Sequence, residues 1–268
     1  MTIPDILPAA QTPATITRIA DVVASEWIKI RSVRSTFWLL LVAAVTAAGG
    51  SAIVAIAERS TSSQPPLADP IASIFVAWLE YPVLALGILG ALTFTSEYTT
   101  GQIRTTLTAV PQRLALLAAK TGVTGVVAFV FATALSFASF VLAQAILSGH
   151  RNAISLSHPG VPGALLAAGL SLFAIAILGL ALGAITRNTA GAVAALPALV
   201  YLPLLTLTLP HPWNHTIGKF TLLIASYQVV SEHPHAGLLS RPLSLVVIVA
   251  WPVAALLAAA ILIRRRDA

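Results

Sequence analysis

Apolar residues fill six stretches of this chain almost without interruption. They run approximately Phe37–Ala57, Ile71–Thr95, Thr121–Leu147, Pro162–Ile185, Ala190–Leu209 and Leu243–Ile263. Each approaches or exceeds the roughly 20 residues that a membrane-crossing helix needs. The pattern predicts an all-α polytopic membrane protein with six transmembrane helices. Two further segments are apolar in another way. Ile217–Val230 is too short to span and carries Lys219, which predicts a short re-entrant or interfacial element before the last span. Ahead of the first span, Ile16, Ile19, Val23, Trp27, Ile30 and Val33 recur at helical spacing, with Lys29, Arg31 and Arg34 among or beside them. That spacing predicts an amphipathic helix over Thr15–Thr36, lying in the membrane interface. Trp27 and Trp38 suit the headgroup level. A plain basic anchor is the simpler alternative.

Residues 1–36 thus form an N-terminal segment, 37–263 the six-span domain, and 264–268 a short basic tail. Composition sharpens this reading. The chain is 57% hydrophobic and 9% charged, with a mean hydropathy of +0.91, whereas soluble domains carry about 25% charged residues. Six spans put both termini on one side. Of the 15 Lys and Arg residues, Arg59, Arg151, Lys219 and Arg241 fall on the other side, and the remaining eleven fall with the termini. The positive-inside rule therefore places both termini in the cytoplasm. No secretory signal is expected, because the opening residues are mixed and include Pro4, Pro8 and Pro13. A net charge of +6 has no extramembrane stretch long enough to form a nucleic-acid-binding domain. Pro197 and Pro203 should kink the fifth span, and Gly179 and Gly183 permit close helix approach in the fourth.

Candidate chemistry is sparse. There is no cysteine, no phosphate-cradling P-loop, no His-Glu-x-x-His and no Gly-x-Ser-x-Gly. No catalytic, cofactor-binding or metal site is expected. His211, His215, His233 and His235 cluster in the outer segments, but prolines interrupt both clusters and no acidic ligand pairs with them, so they read as loop residues. Glu80 is open to two readings. Either it lies within the second span, as a group of the pathway or an outer gate, or the span starts near Pro82 and Glu80 sits at the surface.

The longest polar break in the first half is "SEYTTGQIRTTLTAVPQR", residues 96–113. Ser96 and Glu97 suit the start of a new helix. Gly101 permits a bend, and Ile103, Leu107 and Val110 share one side of a helix while Arg104 faces another. Pro111 can begin the next helix, and Arg113 and Lys120 mark the inner boundary of the third span. The segment predicts a short amphipathic helix between spans two and three.

"SEYTTGQIRTTLTAVPQRLALLAAK" resembles the Glu-Tyr-x-x-Gly-x-Ile-Arg-x-Thr-Leu-x-x-x-Pro-x-Arg…Lys pattern of the membrane-spanning permease subunits of type-2 ABC exporters, and "SEWIKIRSVRSTFW" resembles the amphipathic helix ahead of their first span. The resemblance implies a permease in a bacterial inner membrane, driven by a separate cytoplasmic ABC ATPase subunit and paired with a second copy or a partner permease. It further implies that the segment after the second span is the coupling helix, carried by Glu97, Tyr98, Gly101, Arg104, Pro111 and Arg113. The rival class is a non-transport membrane protein, either an intramembrane enzyme or a structural subunit, with Glu80 and the outer histidines as its active groups.

Overall fold

The computed structural model describes residues 19–60, 82–110, 112–206, 208–210, 212–231, 235 and 237–265, and every regular element among them is an α-helix. The N-terminal part comprises α1 (Ile19–Ser32), α2 (Arg34–Ser60), α3 (Pro82–Thr99), α4 (Gln102–Ala109) and α5 (Arg113–Ile146). The rest comprises α6 (Val161–Thr186), α7 (Thr189–Val200), α8 (Leu202–Thr206), α9 (Trp213–Gly218), α10 (Leu222–Val230) and α11 (Arg241–Arg265). Four of these, α2, α5, α6 and α11, are long and apolar enough to cross a membrane.

Three of the six predicted stretches differ from the helices observed. The second is represented by α3 alone, because residues 61–81 lie outside the described part. The third belongs to a helix that starts earlier. At 1.5 Å per residue, the 34 residues of α5 reach about 51 Å, beyond the ~30 Å of a hydrocarbon core. The fifth is broken at Tyr201 into α7 and the five-residue α8. The break follows from the two prolines. Tyr201 N–H still reaches Pro197 O at 2.8 Å, but Pro203 has no N–H to continue the ladder and instead sits in the first turn of α8. The stretch Ile217–Val230 is likewise two helices, α9 and α10, with Lys219 in the turn between them.

At the centre stands α6, buried along most of its length. No single face of it is apolar, because all of it is; such a helix belongs inside a bundle. Its closest neighbour is α3, and glycine sets the distance. A Cβ on Gly90 would overlap the carbonyl oxygen of Ala176, one on Gly179 would overlap that of Gly87, and one on Gly183 would lie 2.7 Å from that of Ala91. The Gly179/Gly183 pair thus meets Gly87 and Ala91 backbone to backbone, the arrangement that small residues allow between membrane helices. On its other side α6 meets α5, where Ser136 Oγ donates to Leu165 O at 2.8 Å.

The two ends of the bundle differ in character. At one end Arg59, closing α2, donates to Ile146 O at the end of α5. Beside α11, Gln228 on α10 is fully buried and donates to His235 O and Leu239 O, both at 3.2 Å. The opposite end gathers α1, α4, the last turn of α3 and the first turns of α5.

Replacing Gly179 with alanine should force α3 and α6 apart and cost upwards of about 3 kcal/mol, at or above the usual range for overpacking. Gly163→Ala, with nothing within 4 Å of the new methyl, should change stability by no more than about 0.5 kcal/mol. Thermal unfolding of the detergent-purified variants reads both, and equal midpoints would refute the close contact.

Candidate functional site

Four charged side chains close a ring at this second end. Lys29 Nζ donates to Glu26 Oε1 and to Glu97 Oε1, each at 2.7 Å. Lys120 Nζ donates to Glu26 Oε2 at 2.8 Å and to the same Glu97 Oε1 at 2.7 Å. A weaker contact joins Lys120 Nζ to Thr93 O at 3.4 Å. Glu26 and Lys120 are each 1% exposed and Glu97 3%. Carboxylate and ammonium alternate around the ring, so its net charge is zero. Taking an ion out of water costs several kcal/mol even after relaxation. The alternating closed set lets three buried charges and the partly exposed Lys29 share one place.

Three elements supply the ring. Glu26 and Lys29 stand one turn apart on α1, Glu97 is in the last turn of α3, and Lys120 lies two turns into α5. An apolar patch lies beside them, where Val22, Ile103, Leu116 and Ala119 pack together with Tyr98 and Val110 at its edge. The face of α1 that packs inward is not the one carrying its apolar stripe. Its sequence stripe of Ile19, Val23 and Trp27 is exposed, while Val22 and Glu26 are buried. The apolar stripe is left for whatever surrounds the protein, and a polar edge makes the internal contact.

Glu97 does not start α4. It ends α3, whose chain turns through Gly101 in the left-handed region (φ 71°), and Gly101 caps α4 with no side-chain hydrogen bond. Two ammonium groups hold the Glu97 carboxylate more strongly than the start of a two-turn helix would. Ile103 is buried against α1 and α5. Tyr98 stacks on Phe94 with ring centres 5.8 Å apart, and the Arg187 guanidinium lies 5.6 Å from the Tyr98 ring. Arg187 itself closes α6 at φ 54°, and Asn188 then accepts from Gly191 N–H at 2.9 Å to open α7. Arg113 Nη1 donates to Ile263 O at 3.1 Å, so at least one of its donors serves the end of α11. Arg104 is exposed. Pro111 and Glu80 lie outside the described residues, as do His211 and His233.

The sequence reading had no place for Glu26, counted Lys29 among the basic residues of the interfacial helix, and treated Lys120 as a boundary marker of the third span. One signal was available. Lys120 is a lone charge well inside the helical run that becomes a membrane span, and a charge there calls for a partner. What the sequence does not show is that the partners come from residues 26 and 97.

The electrostatics follow from the packing. Burial alone would push the Glu97 carboxyl up, but Lys120, and after it Lys29, hold it below the usual carboxylate value. Burial pulls the Lys29 ammonium down, and Glu26 and Glu97 outweigh this and hold it above the usual lysine value.

Compared with known protein families, residues 22–204 match the family described as ABC-2 family transporter protein, more than half of the chain. A comparison with curated proteins gives no match.

Lys120→Met should leave Glu26 and Glu97 with Lys29 alone and cost about 3–5 kcal/mol, as when one partner of a buried pair is removed. Replacing all four ring residues together by Leu or Met should recover most of that loss. The pH dependence has two edges. The Glu97 contribution is complete above 4.5, the ordinary value, and fades as pH falls through the lower folded value. That of Lys29 is complete below 10.5 and fades as pH rises through the higher folded value. Wild-type stability should therefore hold between those limits as far as these two groups set it, and the gap between wild type and Lys120→Met should narrow as the pH falls into the acid range. A gap that does not depend on pH in the acid range would contradict the ring.

Proposed function

The chain belongs to the ABC-2 family of transporter proteins and is a membrane permease of an ABC transporter, and from that premise we propose that α4 and the charge ring receive the motion of a separate cytoplasmic ATPase. The observation that carries this reading is the ring itself. It ties α1, the end of α3 and the start of α5 into one block, and α4 is strung between the second and third of these. A displacement of α4 would move three helices together, whereas a loose polar loop would absorb it. Arg104, exposed on α4, offers a guanidinium to a carboxylate of the ATPase. Glu97, Tyr98, Gly101 and Arg113 would then support the segment from within rather than touch the partner.

In the full proposal the permease has six spans, with α3 completing the second and α7 with α8 forming the fifth. Both termini face the cytoplasm of a bacterial inner membrane, α1 lies in the inner interface, and α9 with α10 re-enters from the outer side. A second copy or a partner permease completes the pathway, and export is its direction. The outward apolar stripe of α1 supports the interfacial placement, and family membership favours transport over the enzyme alternative.

Orientation is checked with introduced cysteines, since the chain has none of its own. Thr106→Cys should resist an impermeant thiol reagent in intact cells, while Ser157→Cys should react; the opposite pattern would invert the topology. Arg104→Ala should leave the permease folded and inserted but weaken ATPase association by roughly 2–5 kcal/mol, the cost of losing one side of a desolvated charge pair. Arg113→Ala, by contrast, should lower the thermal midpoint by loosening the end of α11. Full ATPase recovery with an Arg104→Ala, Arg113→Ala double variant would remove α4 from the coupling role.

A further inference from the structure

A cleft lies between the α1–α2 elbow and the inner part of α3, about 540 Å³ including the part open to solvent. Leu39 from α2 and Leu92 from α3 line it, and Lys29, Thr36, Ser96 and Glu97 supply polar groups. Two features of these groups point to a ligand. Glu97 Oε2 is buried and has no hydrogen-bond partner, although the other oxygen of the same carboxylate takes two. Lys29, with a side chain 38% exposed, spends two of its three N–H bonds on the ring. A charged acceptor that lacks a donor thus sits one hydrogen bond away from a charged donor with capacity left. A buried acceptor without a partner costs more than one that is bonded.

The exposed lining residues are mixed, with the polar Ser96 and Gln102 beside one apolar group. Val33 lines the cleft and is exposed, and Phe37 and Trp38 stand exposed one turn further along α2. Tryptophan at such a place marks the headgroup level of a bilayer.

We propose that this cleft seats the headgroup of an aminophospholipid taken from the adjoining leaflet. Its primary ammonium donates to Glu97 Oε2, its phosphate accepts the third N–H of Lys29, and an acyl chain runs along Leu39 and Leu92. The order of charges in phosphoethanolamine, cation and anion a short chain apart, complements the order of carboxylate and ammonium in the cleft. A trimethylated headgroup has no N–H to give, and a glycerol headgroup has no cation. A water molecule could bridge Lys29 and Oε2 but would leave the apolar residues of the cleft unused, and a sodium ion would satisfy Oε2 alone. The inference rests on the membrane reading of the chain and not on coupling to an ATPase.

The test is lipid titration of the full chain in mixed micelles. Phosphatidylethanolamine, phosphatidylcholine and phosphatidylglycerol of one acyl composition are compared through the thermal midpoint. Phosphatidylethanolamine should raise it saturably, with half-saturation about tenfold below that of the choline lipid, the ratio expected for one lost charge-assisted hydrogen bond. Soluble phosphoethanolamine at the same concentration should not raise it. Ser96→Phe fills the mouth without touching the ring, and it should keep the lipid-free midpoint while losing the phosphatidylethanolamine increment. Thr36→Leu serves as a second variant should Ser96→Phe not fold. Equal responses to the ethanolamine and choline lipids, a full response to soluble phosphoethanolamine, or an increment that survives a folded cleft-filling variant would each overturn the proposal. The readout is binding, so a failure here leaves the coupling reading standing, and a failure of coupling leaves this one standing.

Discussion

Burying a lysine in a helix that is otherwise apolar imposes a condition on everything near it. Lys120 cannot remain charged and dry unless carboxylates reach it, and the two that do, Glu26 and Glu97, would repel each other without Lys29 between them. The four groups therefore succeed or fail together. Their geometry requires α1 to lie against that end of the bundle, α3 to continue as helix to Glu97 and beyond, and α5 to begin well before Lys120. The corner at Gly101 and the short helix α4 follow from those three positions.

The charge ring is directional, while the contact between α3 and α6 is purely steric. Glycines at 87, 90, 179 and 183 bring the two backbones so near that side chains hardly intervene. Packed interiors have little room to yield, so α3 and α6 behave as one body. Glu97 stands at the end of that body, which places the ring at the junction between the rigid centre of the bundle and its more exposed end. Tyr98 and Arg187 add a second link there, from the neighbouring turn of α3 to the left-handed close of α6.

Much of this was legible in the chain. Continuous apolar runs fixed α2, α6 and α11 almost to their ends, because nothing but a buried or lipid-facing helix uses such runs. The gap between the predicted stretches that end at Ile185 and start at Ala190 leaves room only for a tight reversal, and Asn188 caps the next helix. The prolines at 197 and 203 announced a disturbance, though not that Tyr201 would divide the stretch into two helices. The ring was hidden for another reason. Helical periodicity reports which residues share a face, and on α1 the apolar stripe was the stronger signal, yet the face that packs inward is the one carrying Glu26. Pairings between residues 26, 97 and 120 depend on how three helices meet, and no local pattern encodes that.

One consequence concerns the order in which the molecule comes into being. Glu26 and Lys120 are separated by 94 positions, with α2, α3 and α4 between them. While the chain is being made, α1 has its carboxylate long before either the glutamate of α3 or the lysine of α5 exists. Through that interval Glu26 has only Lys29 beside it and must remain hydrated, so the helix cannot yet occupy its final place. Docking of α1 therefore waits for insertion of α5, and a helix made before α2, α3 and α4 is locked only after them.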